Sequence, residues 1–427
     1  MKYKLLSYLV AWIFPTKKDR AFFRLWCKNL DIKQKAPIVR KRYKDKIEVL
    51  KNKEKIRVLF LVSEISKWKT QTLFDLLKIN PKYEPIIALT LGDFQWKLPK
   101  DKKIEILYKN KEFFESKGME CVLAYDIKKH KAIPLDKFDA DLVFYQQPWR
   151  IASVHLPENV SKYALTFYVP YFVPNYGKLD MDCQQELHKT VLRYYTLDKE
   201  YEIIYRKAMI PSIGRPVGLG HTALDFYYLN KNYKPTKKYV IYAPHHSINN
   251  FENYSTFLDN GKEILEYAKK HPEINWAFKP HPTLKYRLIK DKVMAEDEVK
   301  NYYNEWEKIA TCCYTSDYSE LFLESKALIT DSASFLVEYF CTKKPVIHLI
   351  SDKCKIKPIE PFKRIIDTFY KVHNLDEMYK VFDDILIKND DYNKKQRLKV
   401  LKDSGLNDNY AAKNIIDDIE GLINCKN

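Results

Sequence analysis

Three apolar runs in this chain end on residues suited to holding an anion. They are Tyr242-Ala243-Pro244-His245-His246-Ser247, Lys279-Pro280-His281-Pro282 and Thr330-Asp331-Ser332-Ala333-Ser334. The third has the strongest chemistry. A short apolar strand, Ala327 to Thr330, runs into Asp331-Ser332-Ala333-Ser334 and then an apolar helix pattern, so hydroxyls and unsatisfied backbone N–H groups should meet at one point, as at phosphate sites. In the second, two prolines enclose His281, fixing the backbone and removing competing donors, with the cation Lys279 beside it. In the first, His245 and His246 are adjacent. Neighbouring strand residues face opposite ways, so one of the two should point into a site and the other away. Asp and Ser are also ordinary helix caps, and a lone His is commonly a packing residue. The order of the three strand ends argues for one site at the carboxyl edge of a parallel sheet.

The elements around these residues predict two such sheets. Ile56–Val62 reads as a buried strand followed by a helix over Thr72–Ile79, and further strands are expected at Pro85–Thr90, Leu142–Gln146, Ala164–Val169 and Tyr194–Leu197. A second set runs from Tyr239–Ala243 through Trp276–Lys279 and Ala327–Thr330 to Val346–Leu349, with helices at Thr256–Lys270, Tyr318–Ser325 and Ser334–Cys341. Apolar strands alternating with helices give a parallel sheet covered on both faces. The fold class is therefore α/β, with two Rossmann-like domains facing a cleft. The expected boundaries are a basic N-terminal arm over 1–54, a first domain over 55–215, a second over 216–375 and a helical tail over 376–427. Gly214, Gly218 and Gly220 are three of only nine glycines, and they predict a hinge or loop between the domains, followed by His221.

The chain has 427 residues, too many for one ordinary core, and a net charge of +18. Residues 1–57 hold 13 Lys and 5 Arg against 5 acidic side chains, so a local +13 sits on a nearly neutral body. A basic arm implies an anionic surface as partner. Leu5 to Phe14 is apolar, too short to span a bilayer and without a small-residue cleavage site after it, which fits an interfacial helix with Trp12, Phe14, Phe22, Phe23 and Trp26 at the headgroup boundary. A peripheral place on the cytoplasmic face of the membrane follows. Nucleic acid is disfavoured, because the charge accompanies an apolar anchor and not an aromatic-studded sheet. The eight cysteines lack ligand spacing, which fits reduced thiols. Asp139-Ala140-Asp141 and Asp180-Met181-Asp182 have a metal–nucleotide DxD pattern, but the first precedes its strand and the second is in a polar stretch. No metal site and no cofactor are expected. With so little glycine there is no Walker loop, and phosphate must be held by hydroxyls, cations and helix starts. Gln146-Gln147-Pro148-Trp149-Arg150 and Asn175-Tyr176-Gly177 are candidates for the acceptor side.

Taken in order, the three strand ends resemble those of the CDP-glycerol glycerophosphotransferase family, whose members carry Tyr-Ala-Pro-Thr, a hydrophobic-Arg/Lys-x-His-Pro strand end, and Thr-Asp-Tyr-Ser-Ser followed by an acidic residue and a Pro-led strand. Here these are Tyr242–His245, Lys279–Pro282 and Thr330–Ser334 with Glu338 and Pro345. The resemblance covers roughly residues 213–350. It departs at Ser332 and Ala333, and no His here is followed by Gly, the motif that supplies the family's base. The resemblance implies transfer of a polyol phosphate from a CDP-activated donor to a hydroxyl of a lipid-linked or growing envelope glycan, with release of CMP. Lys279, His281, His246, Ser247, Asp331, Ser332 and Ser334 would then hold the diphosphate, Glu338 would contact the nucleotide, and His245 or His221 would act as base. A nucleotide-sugar transferase of the same fold, and a non-catalytic anion-binding protein, are the alternatives.

Overall fold

The structure is a computed structural model that describes residues 13–149, 151–177, 183–248, 253–315, 317–406 and 408–424. The chain forms two compact units. One gathers the chain up to Tyr171, the segment 178–223 and everything from Tyr410; the other gathers Phe172–Gly177 and Leu224–Asn409. The expected boundary at 215/216 thus falls at 223/224. The expected tail is not one body: helices Leu375–Phe382 and Lys394–Ser404 go with the second unit, and helix Ala411–Asn424 returns to the first.

The first unit is built on β1 (Ile56–Val62), β2 (Tyr83–Leu89), β3 (Cys121–Leu123), a small antiparallel pair β4 (Tyr125–Asp126) and β5 (Lys131–Ala132), β6 (Leu142–Tyr145), β7 (Leu165–Tyr168), β8 (Arg193–Thr196) and β9 (Arg215–Gly218). Its seven-stranded sheet is parallel in the order β3-β2-β1-β6-β7-β8-β9. The expected interior strands are present because each is buried along its length, which writes a continuous apolar run into the sequence. The glycine cluster corrects an expectation. Arg215–Gly218 is the edge strand β9, not a hinge, and a Cβ at Gly214 would lie 2.1 Å from the Val191 carbonyl while one at Gly218 would lie 2.2 Å from that of Asp198. Glycine serves close backbone approach here.

The basic arm is likewise corrected. Residues Lys17–Lys51 form one helix, capped by Thr16 Oγ1 accepting from Asp19 N. Its inner face buries Cys27 and packs Ile32, Ala36, Val39, Tyr43 and Leu50 into the core of the first unit. The Tyr43 hydroxyl meets Thr166 Oγ1 at 2.5 Å and donates to Thr190 O at 3.0 Å, so the helix is joined to the sheet. Asp141 of the DxD pattern accepts from Lys46, Lys53 and the Arg57 N–H, a structural carboxylate that ties the helix end to β1. Leu5 to Trp12, Arg150 and Asp180-Met181-Asp182 lie outside the described residues.

The second unit is built on β10 (Tyr239–Ala243), β11 (Trp276–Phe278), β12 (Ala310–Cys312), β13 (Ser325–Thr330), β14 (Val346–Leu349) and β15 (Tyr370–Val372). The sheet is parallel in the order β12-β11-β10-β13-β14-β15. Strand order reverses between β10 and β13, so the connections leaving these two strands diverge to opposite sides and open a crevice at their carboxyl ends, the usual ligand position in doubly wound sheets.

Candidate functional site at the β10, β11 and β13 edge

All three sequence motifs end at this edge. Ala243 pairs with Thr330 in register at the ends of β10 and β13. The β10–β11 ladder continues past β11: Lys279 N donates to Tyr242 O at 2.9 Å and His281 N to Pro244 O at 3.0 Å. Pro280, with no N–H, sits between these two donors. His281 is thereby carried to the level of His245 and His246.

The adjacent histidines do not split between faces, contrary to the strand rule. Strand β10 stops at Ala243, and the turn that follows brings both rings to one place. Ring centroids of His246 and His281 lie 3.9 Å apart with the planes at 26°, and His245 is 4.4 Å from His246 and 5.2 Å from His281. His245 Nδ1 lies 2.7 Å from Ser247 Oγ, which accepts from Tyr254 N at 2.9 Å. His281 Nδ1 lies 2.9 Å from Thr283 Oγ1. Burial lowers all three imidazoles below their ordinary range: His246 to about 4, His281 to about 3 and His245 well down, the last pushed further by its His neighbours. All three are neutral near neutrality, with lone pairs available.

Asp331 is not a helix cap. The helix after it is Leu336–Phe340, and its first turn has no side-chain cap. Instead the Asp331 carboxylate accepts from His245 N and Thr256 N, both at 2.6 Å, and from Thr256 Oγ1 at 3.2 Å, clamping the β10 turn to the start of helix Phe257–Lys270. Burial raises its pKa to about 6 against the pull of these donors. Ser247 and Ser332 are also buried and used internally, Ser332 Oγ accepting from Ser334 N. Lys279 is buried, with Nζ 4.5 Å from the Tyr318 ring centroid and 5.4 Å from that of Phe335. The Tyr318 hydroxyl donates to Glu338, so Glu338 orients the ring beneath the cation. Of the residues expected to touch a phosphate, His246, His281 and Ser334 reach the surface of the unit.

Several residues named from the sequence have roles it did not predict. Thr330 Oγ1 donates to Ala243 O and accepts from Ser332 N, tying the two strand ends together. Asn175, Tyr176 and Gly177, expected on the acceptor side, belong to the second unit: Asn175 Nδ2 donates to Ala333 O and Gly177 N to Lys357 O. Tyr176 and Tyr254 help line a cavity of about 260 Å³ that reaches Asp331, His348, Lys371 and His373. A Tyr before a positive-φ Gly is the faint signal that marked this turn. His221 stands in the first unit, where its Nδ1 accepts from Ala223 N at 3.2 Å. Gln146 and Gln147 end β6 and bond to Lys69 N and Ser63 Oγ.

Residues 229–421 match the family model described as CDP-glycerol:poly(glycerophosphate) glycerophosphotransferase. No curated protein matches the chain by sequence. Among solved structures, a variant of the wall teichoic acid polymerase TagF is similar with a TM-score of 0.53 at 14% identity, over 96% of this chain and 100% of that one. S. aureus MnaA with UDP gives 0.53 at 14%, over 86% and 97%, and the UDP-GlcNAc 2-epimerase of Neisseria meningitidis gives 0.54 at 12%, over 86% and 99%. These likenesses carry the fold, a GT-B-like pairing of two parallel α/β units. The family match covers most of the second unit and bears out the resemblance read from the three motifs.

Proposed function

We propose, from the match of residues 229–421 to the CDP-glycerol:poly(glycerophosphate) glycerophosphotransferase model, that the protein moves glycerol phosphate from CDP-glycerol to a hydroxyl of a lipid-linked or growing glycan of the teichoic-acid or capsule type. The acceptor oxygen forms a bond to the phosphorus that carries the polyol, the bond from that phosphorus to CMP breaks, and the hydroxyl proton passes to a base. The observation that carries this reading is the convergence of the three motifs at the switch point of the second unit. There His246, His281 and Ser334 offer a polar surface to the diphosphate, while Lys279 adds charge from beneath and Asp331, Ser332 and Ser247 fix the turns. The cavity beside Asp331 has the size and aromatic walls for the nucleoside, with Glu338 acting through Tyr318. His245 and His221 are the candidate bases. An imidazole with a lowered pKa is a weak base, and the donor's negative charge would raise it toward the working range.

Association with an anionic membrane surface at the cytoplasmic face belongs to the same reading. The start of the first helix exposes Phe22 and Trp26 beside the cations Lys17, Lys18 and Arg24, with Ile13 just before it. No helix among the described residues is long and apolar enough to cross a membrane.

The test is CMP release by the purified full chain given CDP-glycerol, CDP-ribitol or UDP-GlcNAc with a lipid-linked glycan acceptor. Acceptor-dependent CMP release from CDP-glycerol, lost in His281→Ala and reduced in Ser334→Ala, is the expected result. Transfer from the nucleotide-hexose with none from either CDP-polyol would move the assignment to a sugar transferase. Unimpaired polymer synthesis in both variants would favour a non-catalytic role for this edge.

A further inference from the structure

We propose that His245, His246 and His281 together bind one divalent transition-metal ion of the zinc class. One ring nitrogen from each lies within 4.8 Å of the others, although the residues share no ligand spacing in the sequence. Two further observations point the same way. His246 Nδ1 is buried without a hydrogen-bond partner, a polar atom that a packing role would leave unsatisfied. The other two rings are held from behind, His245 Nδ1 against Ser247 Oγ at 2.7 Å and His281 Nδ1 against Thr283 Oγ1 at 2.9 Å, and each Nδ1 also accepts a backbone N–H, from Ser247 and Thr283, at 3.2 Å. A ring that ligates through Nε2 must carry its proton on Nδ1 and donate it to that hydroxyl, so metal loading exchanges the accepted backbone N–H for a donated bond.

The ligand set selects the ion. Three neutral imidazoles with no carboxylate suit zinc and its neighbours and not Mg²⁺ or Ca²⁺, which take oxygen. Charge selects further: Arg287 and Lys279 are close enough to the rings to lower the pKa of His246 and His281, so they also oppose a cation. Affinity must come from ligation, not from a negative field. Zinc–nitrogen bonds of about 2.0–2.1 Å would draw the three nitrogens together, which requires the stacked, half-buried rings of His246 and His281 to turn. Three protein ligands leave a fourth position open, as at catalytic zinc. If the proposed donor binds at this edge, a phosphoryl oxygen could take that position, and His245 would then be a ligand and not the base. This last clause rests on the proposed function; metal binding does not.

The experiment is therefore done without any donor. Chelator-treated full-length protein is dialysed against micromolar Zn²⁺ in the presence of millimolar Mg²⁺, and metal per chain is measured; Co²⁺ loading is followed by visible absorption. One Zn²⁺ per chain is expected, with intense tetrahedral Co²⁺ bands and a higher unfolding temperature on loading. His246→Ala and His281→Gln, confirmed as folded by circular dichroism, should each lose stoichiometric binding. Ser247→Ala should weaken it about ten- to a hundredfold, and the surface control His271→Ala should keep it. Absence of Zn²⁺ binding in the parent protein, or binding undiminished in the His246→Ala/His281→Gln double variant, would overturn the proposal. Since no donor is present, a protein inactive on CDP-glycerol can still pass, and an active one can still fail.

Discussion

A carboxylate buried among backbone N–H groups can only accept, and Asp331 accepts from His245 N, Thr256 N and Thr256 Oγ1. Removing it strands two buried amide donors, each worth about 1–3 kcal/mol when left unpaired. Asp331→Ala is therefore expected to lose roughly 2–5 kcal/mol of stability in urea unfolding, and Asp331→Asn, which keeps one acceptor oxygen, clearly less; equal losses would show that the clamp does not depend on acceptance. The sequence reading placed Asp331 at a helix start, where the structure makes it a clamp between turns, because Asp before a helix pattern has the same local signature whether it caps that helix or reaches across to other turns. The paired histidines were misread for a related reason. Alternation holds while the strand lasts, and β10 ends two residues before His245. Away from the three clustered histidines, burial lowers His188 in the first unit and His348 at the cavity beside Asp331 to about 3. Their folded pKa values lie below the unfolded one, so the unfolded chain binds more protons between about 3 and 6.5. Stability is full above that window and falls as pH drops through it. At about pH 5 each should have removed ~2 kcal/mol relative to neutral pH. His348→Asn should flatten that slope in urea titrations run at several pH values, and an unchanged slope would exclude His348 as its source.

The elements that were legible are those buried on both faces. Ile56–Val62, Tyr239–Ala243 and Val346–Leu349 were expected with the bounds they have, because no polar face interrupts their apolar runs. Edge strands were not legible. Strand β9 reads Arg-Pro-Val-Gly, and β12 is three residues long and partly exposed, so neither carries a pattern to detect. Gly214 marks the consequence: Gly214→Ala would drive a Cβ into the Val191 and Leu192 carbonyls, at 2.1 and 2.2 Å, and should cost about 1–3 kcal/mol in thermal or urea unfolding. The first helix was hidden by its charge. Cys27, Ile32, Ala36, Val39 and Tyr43 recur at helical spacing on one face, but Lys and Arg crowd the others and the segment reads as an arm. Burial changes along this one helix. The buried face begins at Cys27, while Phe22 and Trp26 before it are exposed. Deleting residues 1–26 should therefore release the protein from anionic vesicles in a flotation assay with little loss of unfolding cooperativity. Unchanged flotation would place membrane binding elsewhere.

At the scale of the whole chain, the polypeptide passes between the units four times, the first two for the short excursion Phe172–Gly177. The polypeptide leaves the first unit before Leu224, builds the second, and returns at Tyr410 to finish the first. Helix Ala411–Asn424 buries Ala412, Ile415, Ile419 and Ile423 in the same core as β1, β2 and the helix Lys17–Lys51. Its polar face is also engaged: Asp418 accepts from Arg193 Nε at 3.2 Å and from the Tyr195 hydroxyl at 2.9 Å. Read locally, this segment is an amphipathic tail with no stated partner, since its contacts lie about two hundred residues away or more. Truncation after Asn409 should thus damage the distant end of the chain more than the adjacent one. Removing four buried aliphatic positions at about 1–3 kcal/mol each is comparable to the whole stability of a typical domain, roughly 5–15 kcal/mol. Hydrogen exchange on the truncated protein should show protection lost through β1, β2 and β8 but retained in β10, β13 and β14, whose core cluster includes none of the deleted residues. Uniform loss across both sheets would mean that the two units unfold together, and uniform retention would mean that the returning helix is dispensable to the core it completes.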